Sequence, residues 1–222
     1  MQDGYCPDKG VDIKIIKNIP VGAGLGGGSS NAAAVILGLN RFWKLKVPLK
    51  KLNTIASKVG SDVPFFIHES PFAKVEGRGE IIKPLKELCS KKLWHLLVVP
   101  RIHVSTPEIY RKWDYFAPKK GKYSRLTGIA GSVKILLSEL NKKNPQLEGA
   151  LFNSLQEITC RSYPEVKRTI IKFSELSLKA VLMSGSGPAV FALLGSRKDC
   201  FLMRRRLLRE LKSTQVFVAK TI

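Results

Sequence analysis

Cysteine is scarce and scattered. Cys6, Cys89, Cys160 and Cys200 lie far apart and no CxxC pair occurs. That spacing gives no sign of a metal knuckle or a disulfide framework; reduced thiols in a cytoplasmic protein fit it best. Histidine is scarcer still, and His68, His95 and His103 form no ligand pattern, so each reads as a surface or packed histidine. No uninterrupted apolar run reaches the roughly 20 residues that a membrane-spanning helix needs. Met1-Gln2-Asp3-Gly4-Tyr5 lacks a signal-peptide pattern. Acidic residues are outnumbered, 17 against 38 Lys and Arg, for a formal net charge of +21. Such a balance favours anionic partners: nucleotides, phosphorylated metabolites, nucleic acid or acidic membranes. It reads equally as a set of solvated lysines, because the basic residues are spread out apart from Arg204-Arg205-Arg206. No RNP-like aromatic pattern or zinc-finger spacing accompanies them, so nucleic acid is not an expected partner; without a spanning run, neither is a membrane. The chain has no repeats, and its 222 residues, 44% hydrophobic, suffice for one large or two modest domains with a buried core.

What the chain has is glycine in one place. Pro20-Val21-Gly22-Ala23-Gly24-Leu25-Gly26-Gly27-Gly28-Ser29-Ser30 follows an alternating run, Val11 to Lys17, that reads as a strand. It precedes a small, apolar segment, Asn31 to Trp43, that reads as a helix. Glycine backbone can take positive φ and come close to a ligand. A helix start adds unpaired N–H groups and the positive end of a dipole. A phosphate chain is the expected guest, in preference to a plain turn or helix cap. The loop is not a Walker loop, because no Gly-Lys-Ser/Thr closes it. It is also too long and glycine-dense for a tight dinucleotide-binding turn.

Elsewhere, Met1 to Gly10 reads as a polar loop. Leu49 to Val59 has a helical period that Gly60 stops. Asp62 then stands ahead of Val63-Pro64-Phe65-Phe66, either as a helix cap or as a carboxylate aimed into a cleft. Phe72 to Pro84 reads as a hairpin around Gly77-Arg78-Gly79, and Leu93 to Val99 as a strand ended by Pro100. Ser105-Thr106-Pro107-Glu108 is a helix-start signature leading to Ile109, Tyr110 and Trp113. Ala117 to Arg125 reads as an exposed basic loop, and Ile129–Leu140 and Pro164–Leu176 as helices. Strand Lys179–Met183, a second glycine-serine turn, strand Ala189–Leu194, helix Arg197–Leu211 and strand Gln215–Lys220 complete an α+β arrangement.

Four motifs in order carry a resemblance: Pro20–Ser30 with Asn31-Ala32-Ala33, Gly60-Ser61-Asp62-Val63-Pro64-Phe65-Phe66, Gly77-Arg78-Gly79-Glu80, and Met183 to Phe191. In these the chain resembles the GHMP kinases, which include galactokinase, homoserine kinase and mevalonate kinase. The resemblance implies an α+β fold of two domains, an incomplete N-terminal one like ribosomal protein S5 and a ferredoxin-like C-terminal one. We place them at residues 1–88 and 89–222. It implies ATP on Pro20, Val21, Gly22, Ala23, Gly24, Leu25, Gly26, Gly27, Gly28, Ser29 and Ser30, and a substrate in the cleft between domains. The Gly60–Phe66 block favours one branch of the family. For that branch the implied reaction is ATP-dependent phosphorylation of the 2-hydroxyl of a cytidine-diphosphate-linked methylerythritol, in non-mevalonate isoprenoid (terpenoid) biosynthesis. Asp62 would then be the catalytic aspartate. Gly185, Ser186 and Gly187 would approach the reacting phosphate, and Tyr110, on the helix started by Pro107, would stack on the cytosine. Mg²⁺ would accompany ATP, with Ser29 and Ser30 both open as its contact. The partner is expected to be a small molecule, and the protein a monomer or homodimer.

The chain departs from the family at two places. The resemblance implies further strands before Val11, with a lysine paired to the aspartate and with aromatic and histidine residues that hold cytidine. Only a polar stretch stands there; Asp3-Gly4-Tyr5 is followed by Cys6 instead of histidine, and Lys14 and Lys17 do not match the lysine. We therefore expect a chain lacking its first structural segment, with weak or no activity and an exposed sheet edge at Val11–Lys17. Asn153-Ser154-Leu155-Gln156 also replaces the usual Asn-Asp-Leu-Glu. The alternatives are another small-metabolite kinase of the family, or an inactive or RNA-binding fragment with the S5-like fold.

Overall fold

Two self-contained sets of contacts emerge from the chain: Met1–Val21 with Gly26–Ser90, and Gly22–Leu25 with Lys91–Ile222. The structure, a computed structural model, describes residues 2–5, 10–116 and 124–222, without the side chains of 2, 3 and 124–132.

The first unit holds α1 (Gln2–Tyr5), α2 (Gly27–Phe42), α3 (Leu49–Val59), α4 (Val63–Ile67) and a hairpin of β1 (Ala73–Glu76) with β2 (Ile81–Pro84). A 3-10 turn at Lys86–Leu88 follows. In α2, Ala33 and Ile36 are buried three residues apart; in α3, Leu52 and Ala56 are buried four apart. Those spacings put each pair on one helix face. The two faces meet Val47, Val63 and Ile67 in one apolar core. Asn40 ties the α2–α3 connection down, accepting from the Val47 N–H at 2.9 Å and donating to its carbonyl at 3.2 Å. Pro48 and Gly60 bound α3 at the expected residues.

Three expectations need correction here. Val11–Lys17 is not a strand: it pairs with nothing among the described residues, and Val11, Ile13, Ile15 and Ile16 stand 42% to 73% exposed. Alternation makes a segment suitable for a sheet, but a strand exists only where a neighbour supplies the other half of its hydrogen-bond ladder. The polar start is also not wholly a loop, since Gln2–Tyr5 makes a helical turn. Finally, the Val63–Ile67 run, for which only the cap reading of Asp62 implied a helix, is a short helix with Pro64 in its first turn.

The second unit is built on β3 (Trp94–Pro100), followed by α5 (Thr106–Phe116), α6 (Ser124–Asn141), α7 (Gln156–Ser162) and α8 (Pro164–Glu175). It closes with β4 (Ala180–Met183), β5 (Val190–Leu194), α9 (Arg197–Glu210) and β6 (Thr214–Lys220). The four strands form one antiparallel sheet in the order β4-β5-β3-β6. Counted within the sheet, that order is the ferredoxin-like one, with the first strand between the third and fourth. Cross-strand neighbours Leu96 with Ala192, and Val98 with Val190 and Val216, are buried on one face. That face meets Val166 and Phe173 of α8 and Cys200 and Leu207 of α9. Ser196 caps α9, its hydroxyl accepting the Asp199 N–H at 3.1 Å. The mixed helix-and-sheet, two-unit architecture expected from the sequence is present. Helix α7 was not anticipated, and α6 begins at Ser124, ahead of the expected Ile129. Of the expected loop Ala117–Arg125, residues 117–123 lie outside the described residues, and the last two open α6. Among the described residues no helix is long and apolar enough to cross a membrane.

Candidate active site

Gly22, Gly24 and Gly26 have φ of +67°, +72° and +65°, while Ala23 and Leu25 between them do not enter the left-handed region. Positive φ at every second residue is a feature of loops whose successive N–H groups turn toward an anion. Within the second unit the loop is fixed from behind. Ala23 is 2% exposed, packed with Val99 and Ala189. The Ala189 N–H donates to the Ala23 carbonyl at 3.2 Å, and the Ser184 hydroxyl donates to the Gly24 carbonyl at 2.8 Å. A Cβ on Gly24 would stand 2.3 Å from the Ser184 carbonyl oxygen and 3.0 Å from that of Gly187. Only glycine fits there, for reasons of both space and φ.

In the first unit the loop becomes a helix. Gly26 is the N-cap of α2 and offers no side chain, and the Ser30 N–H closes the first turn on the Gly26 carbonyl at 2.8 Å. The amides of Gly27, Gly28 and Ser29 therefore lack intrahelical partners, as at every helix start. The Ser30 hydroxyl donates to the Gly27 carbonyl at 3.1 Å, whereas the Ser29 hydroxyl makes no hydrogen bond among the described residues. Of the two serines, Ser29 is the one left available.

Asp62 occupies the N-cap position of α4 (φ −89°, ψ −13°) but makes no cap hydrogen bond. Its carboxylate is exposed and has no ion-pair partner among the described residues. The helix-cap reading thus lacks its hydrogen bond. Position comes instead from both sides of the residue. Gly79 (φ +113°) in the hairpin turn lies so close that a Cβ would sit 2.3 Å from the Ser61 carbonyl oxygen. Four residues after Asp62, the Phe66 ring meets the backbone of Gly26, 2.9 Å from where a Cβ would be. One turn of helix rises about 5.4 Å, so Asp62 and Phe66 lie about one turn apart along α4. Beyond α4, His68 keeps a buried Nε2 without a partner among the described residues, and burial lowers its pKa below the usual histidine value.

The second glycine turn belongs wholly to the second unit. Gly185 and Gly187 have φ of +56° and +89°. Asn153 Nδ2 donates to the carbonyls of Met183 and Gly185, each at 2.8 Å, and Gln156 Oε1 accepts the Met183 N–H at 2.9 Å. Ser186 is only 5% exposed; its hydroxyl shares a 2.7 Å hydrogen bond with that of Thr106. Its side chain therefore faces α5, and what the turn offers outward is backbone. A cavity of about 550 Å³ opens beside it, lined by Tyr110, Trp113, Phe152, Asn153, Ser184 and Gly185 among others. Tyr110 is half exposed there, and Pro107 is exposed in the first turn of α5 without lining the cavity. Sequence reasoning missed Ser184, which touches the loop only through the fold, and His103, whose ring lies beside Gly22. It noted Ser154 and Gln156 as departures and missed the hold of their neighbour Asn153 on the turn. Among the described residues no cluster of three His, Cys, Asp or Glu side chains could hold a metal by itself.

Residues 1–70 match the family profile of the GHMP kinases N terminal domain, and residues 136–212 that of the GHMP kinases C terminal. The chain is similar to the 4-diphosphocytidyl-2-C-methyl-D-erythritol kinase of Bacillus pumilus, 40% identical over 186 residues, covering 84% of this chain and 60% of that one. It is similar to the protein of the same name from Thermodesulfovibrio yellowstonii, 38% identical over 191 residues, covering 86% of this chain and 65% of that one. The chain thus spans a little under two thirds of the length of these curated relatives. Among solved structures it is similar to a crystal structure of 4-(cytidine 5'-diphospho)-2C-methyl-D-erythritol kinase. That match has 33% identity and a TM-score of 0.69, covering 92% of this chain and 68% of the other.

Proposed function

The chain belongs to the GHMP kinase family, and from that premise we propose that it transfers the terminal phosphate of ATP to the 2-hydroxyl of 4-diphosphocytidyl-2-C-methyl-D-erythritol. The substrate is taken from what the 38% to 40% identical relatives are named for. The observation that carries the reading is the loop itself: three left-handed glycines at alternate positions run into an uncapped helix start. Backbone of this kind suits a polyphosphate by the sign of its partial charges.

In this reading the amides from Gly22 to Ser29 hold the phosphates, and Asp62 accepts the proton of the attacking hydroxyl. Phosphoryl transfer runs through a loose transition state, so positioning and charge matter more than covalent chemistry. A positioned base typically contributes about 10²–10⁴-fold. Asp62 suits the role because its carboxylate is exposed and has no ion-pair or cap hydrogen-bond partner among the described residues. Tyr110 offers a face for the cytosine, and the backbone of the Gly185–Gly187 turn faces the polar end of the same substrate. Mg²⁺, which is usually held by phosphates, waters and one or two protein groups, would neutralise charge on the transferring group. The free Ser29 hydroxyl is the contact this chain offers it. The test is ADP release with this alcohol, homoserine and mevalonate supplied in turn. Turnover only with the cytidine-diphosphate alcohol supports the proposal. Turnover only with another acceptor, or tighter binding of another acceptor by a chain that turns over none, refutes it.

A further inference from the structure

We propose that Ser184 is a positioning residue for the glycine loop, aiming the amides of Gly24 and Leu25 at the phosphate donor. This rests on the reading of Pro20–Ser30 as the nucleotide loop. In a trans peptide unit the carbonyl and the next N–H point in opposite directions across a rigid plane. Holding a carbonyl therefore aims the following amide. Two consecutive carbonyls of the loop are held by the second glycine turn: that of Ala23 by the Ala189 N–H, and that of Gly24 by the Ser184 hydroxyl. The amides in those same peptide units, Gly24 and Leu25, point away from that turn.

Ser184 is itself immobilised. Its N–H donates to the Ala189 carbonyl at 2.8 Å, and its carbonyl accepts from Gly187 at 2.9 Å. Behind it, Asn153 bridges the carbonyls of its two neighbours, Met183 and Gly185. With both backbone groups engaged, the hydroxyl is fixed to reach Gly24, 160 residues away in sequence. Of the two links to the loop, only this one is made by a side chain, so substitution can remove it without altering the backbone.

The test compares the wild type with Ser184→Ala and Ser184→Thr. The probes are calorimetric binding of a non-hydrolysable ATP analogue with Mg²⁺, KM and kcat, thermal unfolding, and amide hydrogen exchange. A neutral hydrogen bond is worth about 0.5–1.5 kcal/mol, or roughly 2- to 12-fold. Ser184→Ala should weaken nucleotide binding and raise KM for ATP by about that factor. KM for ATP should rise by more than KM for the alcohol, and the unfolding temperature should fall by no more than the loss of one hydrogen bond explains. The Gly24 and Leu25 amides should exchange faster in the ligand-free protein. Ser184→Thr, which keeps the hydroxyl, should restore all of these. A folded Ser184→Ala that binds nucleotide as the wild type does overturns the proposal. So does a folded Ser184→Thr that binds as weakly as the alanine variant. If the wild type itself binds no nucleotide, the nucleotide reading fails instead. Exchange at Gly24 and Leu25 then still reports whether Ser184 orders the loop.

Discussion

Gly24→Ala is the perturbation for which the structure gives the clearest magnitude. The residue has φ +72°, and its new Cβ would lie 2.3 Å from one backbone oxygen and 3.0 Å from another. A left-handed conformation costs an alanine about 1–2 kcal/mol. Overpacking against a fixed neighbour costs about 1–3 kcal/mol. Neither neighbour is the end of a flexible side chain, so both terms apply and the sum is about 2–5 kcal/mol. The protein can meet this cost by unfolding more readily or by moving the loop. If the loop moves, nucleotide binding weakens by at least about 30-fold, since each 1.4 kcal/mol is about tenfold. Calorimetric titration and thermal unfolding on one sample separate the two routes. Gly38→Ala is the control: the residue is exposed in the middle of α2, with nothing within 4 Å of the added Cβ. It should stabilise the protein by about 0.5–1 kcal/mol through helix propensity alone. A Gly24→Ala protein with wild-type stability and nucleotide affinity within threefold of the wild type would refute the packing argument.

Asp62→Asn removes the proposed base and keeps its shape; because the carboxylate makes no cap hydrogen bond, turnover should fall about 10²–10⁴-fold with the unfolding temperature unchanged. A matching loss of stability would show that the residue is structural. Phe173→Ala empties the middle of the second unit's core, where the ring is fully buried, and should cost about 3–5 kcal/mol in denaturant unfolding. His68 is held below its ordinary value of 6.5 by burial, so the unfolded chain binds its proton more readily than the folded one. Its contribution is therefore present above pH 6.5 and declines as pH falls below that value. Replacing His68 with phenylalanine should flatten that part of the stability curve, and a curve of unchanged slope would contradict the assignment.

Local chemistry made much of this legible in advance. Pro48 and Gly60 mark the ends of α3, Ser105-Thr106-Pro107 marks the start of α5, and each strand of the four-stranded sheet carries its own apolar pattern. Asp62 and the glycine loop stood out for the same reason, because unusual residues sit at fixed spacing. What failed depended on partners. Val11–Lys17 has a strand's pattern and no described neighbour to pair with. Helix α7 is seven residues long and owes its place to packing against α5 and α8. Ser184 and Asn153 act across 160 and about 30 residues of sequence, on backbone groups that carry no side-chain signature. Ser186 looked outward from its motif, yet its hydroxyl is committed to Thr106.

The claim beneath these predictions is that backbone amides between Gly22 and Ser29 bind the phosphates of ATP. Its most direct test is a crystal structure of the chain with a non-hydrolysable ATP analogue. The account predicts phosphate oxygens about 3 Å from those amide nitrogens. An analogue bound elsewhere, with the same amides facing only solvent, would contradict it.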